Sequence, residues 1–210
     1  SDGQNNTVAG TNAGDAFDGT NANNNTLIGK DAGTALTTGD NCVAVGKDAL
    51  YDHTTGSNVT AVGESALANN TTASNNTAVG TESLKTNTTG HSNAAVGKGS
   101  LFANSTGNEN SAVGMGALYA NTTGSGNVAV GRAALNANTT GVSNTSLGYY
   151  SLSLNTTGGS NTAIGDDALL SNTTANANTA IGAWSLRLNT TGTDNVAVGL
   201  DSLTTNVTGS

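Results

Sequence analysis

A glycine returns every 17 residues through almost the whole of this chain. Gly29, Gly46, Gly63, Gly80, Gly97, Gly114, Gly131, Gly148, Gly165, Gly182 and Gly199 are separated by ten equal steps. A fixed period of that size marks a stack of short, near-identical units, each too small to bury a hydrophobic face alone. Gly10 is a further member, but it stands 19 residues before Gly29, so the stretch "DAFDGTNANN" carries two extra residues. The expected organisation is an irregular first turn or junction over residues 1–28 and a solenoid of about eleven repeats over 29–210. The last repeat stops partway, as a piece of a longer protein would.

Reading down the columns gives each position a role. Immediately before the glycine stands an aliphatic residue, Val79 and Val96 among them, and four residues after it stands leucine, as Leu84 and Leu101. Gly33 alone breaks the leucine column between Gly33 and Leu203. Both columns are expected to be buried. Alanine stands two before the glycine in nine of the eleven regular turns, Leu27 and Ser146 being the exceptions. By strand alternation it is expected to point the other way. A strand that is apolar on both faces is ordinarily covered on both, so a second copy of the chain is expected to bury the alanines. Asparagine four before the glycine, as Asn76 and Asn93, suits an amide ladder and suits a turn equally.

The β-branched, period-two stretch "NTAV" predicts a strand, with a second over "SLKT". Gly46, Gly63, Gly80 and their equivalents form one corner and "NTTG" another. The fold class expected is therefore all-β, a solenoid of 17-residue coils. From Gly29 onward the charged residues fall only in the variable columns, which are expected to be the solvent face.

Composition narrows the function. Two Phe, four Tyr and one Trp in 210 residues cannot furnish a globular core, while the absence of proline argues for a continuous backbone ladder over a disordered linker. A net charge of −8, with six basic residues scattered from Lys30 to Arg187, leaves no stripe for nucleic acid. No apolar run is long enough to enter a membrane as a helix, and "SDGQNNTVAG" lacks the pattern of a signal peptide. Cys42 has no cysteine partner and is expected to fill the interior.

The unit N-T-A-V-G-x-x-A-L-x-x-N-T-T-G-x-x resembles the head repeats of YadA-type trimeric autotransporter adhesins, whose shorter unit also runs Asn, small, aliphatic, Ala, aliphatic, Gly. It is similar as well to repeats of bacteriophage-type tail fibres and bacterial surface fibres, with "NTLIGKDAG" (25–33) nearest to those. The resemblance covers about residues 5–210, departs by three extra residues in the "LxxNTTG" half, and rests on structural positions, so it carries over no functional residues. It implies a homotrimeric, left-handed parallel β-roll in an extracellular fibre or adhesin at a cell surface or virion.

No constellation points to catalysis. His53 and His91 fall in different columns without a companion acid, and adjacent Asp166 and Asp167 face opposite ways. "GKGS" (97–100) lacks the remainder of a phosphate loop. No enzyme activity, cofactor or metal is expected. Tyr149, Tyr150 and Trp184 in outward columns, with Phe102 and Tyr119 adjacent in another, are candidate contacts for a protein receptor, a glycan or a neighbouring fibre; packing at a chain interface is the plainer account. The Asn-x-Thr sequons, such as Asn70 and Asn87, are either glycosylation acceptors or turn chemistry. The alternative function is ice binding through rows of stacked threonine, although Thr-Thr gives only one outward row.

Overall fold

A computed structural model describes residues 4–17 and 21–209. The chain is an all-β parallel solenoid of about 17 residues per turn. Among the described residues, twelve three-residue strands, from β1 (Thr7–Ala9) and β2 (Thr26–Ile28) to β12 (Val196–Val198), form one sheet in strict sequence order. Every pairing is parallel and in register, as Thr77↔Ala94, Ala78↔Ala95 and Val79↔Val96. The irregular first turn joins the same sheet, with Thr7 opposite Thr26. Part of "DAFDGTNANN" (residues 18–20) lies outside the described residues.

Two expectations are corrected. First, "SLKT" forms no strand. Leu84 and its equivalents adopt left-handed backbone, φ 50° at Leu84 and 51° at Leu101. The segment after the glycine is a chain of tight turns in which the second residue after it is left-handed too, as Glu82 at 58°. A left-handed L-residue costs about 1–2 kcal/mol. The leucine accepts that conformation because it sends its side chain to the centre of the coil, where Leu50 through Leu186 are completely buried. Each such burial is worth about 1.5–3 kcal/mol.

Second, the two strand faces are exchanged. The alanines face inward: Ala78, Ala95, Ala112 and Ala129 have no exposed surface. The aliphatic residues beside the glycine face outward, with Val79 36%, Val96 41%, Val113 44% and Leu147 45% exposed. The reason is volume. One leucine per turn already fills the interior, so the strand residue opposite it must be small. The one large exception, Leu27, follows the same logic of packing. In the turn where glycine replaces leucine, a Cβ on Gly33 would lie 2.8 Å from the Cδ2 of Leu27, the one leucine in the alanine column. Leu27 fills from the strand side the space that leucine fills from the turn side elsewhere.

The corner glycine is required by stacking. At Gly114, with φ 132°, an added Cβ would lie 2.5 Å from the carbonyl oxygen of Gly131 in the next coil. Coils cannot approach to strand spacing with any side chain there.

Candidate functional site

Two asparagine ladders run inside the coil. In the first, Asn76 Oδ1 accepts from the Asn93 backbone N–H at 2.9 Å, and Asn76 Nδ2 donates to Gly90 O at 2.8 Å. The second is formed by the asparagines of "NTT": Asn87 Nδ2 donates to Asn70 Oδ1 (3.0 Å), and Asn104 Nδ2 to Asn87 Oδ1 (2.9 Å). These sequon asparagines, Asn70 through Asn189, are completely buried with their amides engaged, so turn and ladder chemistry accounts for them and no oligosaccharide fits on them in the folded chain. The next residue spends its hydroxyl on the neighbouring coil, as Thr88 Oγ1 donating to Ser105 O at 3.0 Å. Only the second threonine, such as Thr89, is exposed, giving a single outward row.

Near the start of the rod both ladders change composition. Cys42 and Val59 take asparagine positions in one, and Leu36 and His53 in the other. His53 is completely buried. Its Nδ1 accepts from Asn70 Nδ2 at 2.9 Å and its Nε2–H donates to Gly56 O at 2.7 Å, which fixes a neutral ring. Burial holds its pKa below the ordinary value. Cys42 Sγ lies 3.9 Å from His53 Nε2, and burial pushes the thiol up to about 11, leaving it protonated and unreactive. Among the described residues, no group of three His, Cys, Asp or Glu side chains is placed to hold a metal ion, and no helix is long and apolar enough to cross a membrane.

The surface residues singled out from sequence form two clusters. Phe102 and Tyr119 stack nearly parallel, centroids 4.9 Å apart. Tyr119 also lies over Gly99, whose missing Cβ would sit 3.4 Å from its ring. Tyr149 and Tyr150 meet edge to face at 4.5 Å, and the Arg132 guanidinium sits over both rings at 5.6 and 6.0 Å. Trp184 follows two coils beyond Tyr150, roughly 10 Å along the rod. Phe102 thus stacks on the ring of the next coil and the tyrosine pair meets Arg132 of the preceding one, while Tyr119 and Tyr149 stay exposed.

Sequence reasoning missed a groove on this edge. In three successive coils the second and fifth residues after the corner glycine are Asp48 and Tyr51, Ser65 and Ala68, then Glu82 and Lys85, and the small middle pair leaves a groove of about 460 Å³. Tyr51 and Lys85 stand on either side along the fifth column. The signal was available as a coil with small residues in both columns, but it has meaning only once those columns are known to be adjacent. Around the rim, Lys30 pairs with Asp31 (3.3 Å), Lys47 with Asp48 (2.7 Å) and Lys85 with Glu82 (2.8 Å). The Asn12 amide and the Lys30 ammonium hold the Asp31 carboxyl below the usual range.

These features define a parallel β-solenoid repeat protein. No protein-family model, curated protein or solved structure matches the chain.

Proposed function

We propose that this chain is a non-enzymatic structural segment of an extracellular fibre, adhesin or phage tail fibre. It acts at a cell surface or virion as a stiff rod that carries surface-binding sites, and it assembles with itself as a left-handed homotrimer. The observation that carries this reading is the outward face of the sheet. Two rows run its length, one of Val, Ile and Leu and one of Thr, Val, Ser and Ala, without a charge in either row from β2 to β12. A continuous apolar stripe on a monomer marks a surface meant to be covered, and identical columns at constant spacing are best matched by identical columns of another copy. The coil's own interior covers the alanines, so the partner contact proposed here falls to the aliphatic row instead.

Light scattering on the 20.4 kDa chain tests this reading. A mass three times that value is expected, and Val96→Lys with Val113→Lys should return it to the monomer without loss of β-structure. A wild-type monomer would overturn the trimer. Ice binding is the second reading, favoured only by the single exposed threonine row, and thermal hysteresis of a dilute solution decides it.

A further inference from the structure

We propose that the groove over Ser65 and Ala68 is a binding site for a neutral saccharide. The site deepens the adhesin reading by giving the rod a ligand class, and rests on that reading for its biological role. Its volume, about 460 Å³, lies in the range of small-ligand sites. It exists because one coil bears Ser65 and Ala68 where the flanking coils bear Asp48 with Tyr51 and Glu82 with Lys85. The gap between Tyr51 and Lys85 spans two coil spacings, roughly 10 Å, enough to admit one saccharide ring.

The chemistry of the walls selects the ligand. Tyr51 is 43% exposed and, unlike Phe102, Tyr119, Tyr149 and Tyr150, stacks on no other ring among the described residues. It leaves an apolar surface for the C–H face of a sugar. Around it, ammonium donors alternate with carboxylate acceptors, Lys30 with Asp31 and Lys47 with Asp48. Hydroxyl groups donate and accept, so they use both kinds of partner. An anion would use only the ammoniums. Each of those already faces a carboxylate, Lys47 having Glu64 at 3.8 Å as well, which leaves little net positive field to draw a phosphate or a sialic acid. The residues that line the groove all follow the corner glycine, and none belongs to the two outward strand rows that the trimer would bury.

The test is a printed array of neutral and acidic oligosaccharides probed with the labelled full chain, followed by titration with lactose or whichever neutral sugar binds. Neutral glycans should bind. Ala68→Lys should abolish binding by filling the groove, and its column accommodates Lys85 one coil later. Tyr51→Ser should weaken binding by at least about tenfold, roughly 1.4 kcal/mol. Should the lysine variant fail to fold, Ser65→Glu fills the groove from the other column, where Glu82 is already tolerated. A blank array, binding unchanged in folded variants, or binding confined to sialylated or sulfated glycans would each overturn the proposal. The mass of the same sample is read independently, so a trimer with a blank array rejects the groove alone, and a monomer that binds neutral sugars rejects only the assembly.

Discussion

Exchanging the positions of one leucine and one glycine tests the packing rule of the coil interior. Leu27 is completely buried, and in wild type a side chain at position 33 would collide with it. The backbone at 33 is already suited to leucine, since its φ of 57° is close to the 53° of Leu50 in the next coil. Leu27→Ala should cost about 2–5 kcal/mol through the cavity it leaves. Gly33→Leu alone should cost about 1–3 kcal/mol by overpacking. The double variant recreates the Ala44/Leu50 arrangement and should return to within about 1.5 kcal/mol of wild type, as volume-conserving changes do. Urea unfolding followed by circular dichroism gives the global effect, and amide exchange in the coil from Gly29 to Gly46 locates it. Independent sites would give additive losses. If the double variant is as unstable as the sum of the singles, Leu27 and Gly33 do not share one space and the packing rule fails.

The glycines separate strain from contact. Gly114→Ala should disrupt stacking, because its Cβ meets the next coil, whereas Gly199→Ala, at φ 121° with nothing within 4 Å, should cost only the about 1–3 kcal/mol of backbone strain. Gly126→Ala, at φ 67° in a column that elsewhere holds Ser143 and Ala177, should change the melting temperature little. His53 makes the rod acid-sensitive. Its folded pKa is depressed by burial, so the unfolded chain takes the proton first; stability is full above pH 6.5 and declines as the pH falls through that value towards the folded one. His53→Asn, which restores the ladder residue, should flatten that slope in melting curves recorded between neutral and mildly acidic pH.

The periodicity made the solenoid legible, because stacking demands the same residue at the same place in every coil. The leucine column read correctly as interior for the same reason. The strand faces did not, since alternation establishes only that Ala95 and Val96 point opposite ways. Deciding which points inward requires knowing how much space Leu101 has already taken. "SLKT" looked extended because a left-handed leucine has no distinctive sequence signature. The groove at Ser65 and Ala68 was illegible until the turns had brought those two columns side by side. The aromatics Phe102 and Tyr119 were identifiable as neighbours from column spacing, but their mutual stacking followed only from the side-chain geometry.

The interrupted ladder offers a measure of what the asparagines contribute. In regular coils, the asparagine four before the glycine accepts from the next coil's backbone, as Asn93 Oδ1 accepts from the Asn110 N–H at 3.0 Å. Cys42 offers its sulfur to the Val59 N–H, but Val59 has no side-chain acceptor at all, so the Asn76 amide lacks the partner its equivalents possess. A buried hydrogen bond of this kind contributes about 0.5–1.5 kcal/mol net. Val59→Asn should supply the missing oxygen to the Asn76 N–H, and its Nδ2 should donate to Ala73 O as Asn161 donates to Ala175 O at 2.9 Å. The gain is opposed by the loss of a buried valine, so the expected result is a modest rise in local stability, read as slower exchange of the Asn76 amide. Exchange at Asn93, in a ladder already complete, is the internal reference. If Asn76 exchanges as slowly as Asn93 in wild type, the side-chain ladder adds nothing to the backbone stack, and the rod's stiffness rests on its strands and leucines alone.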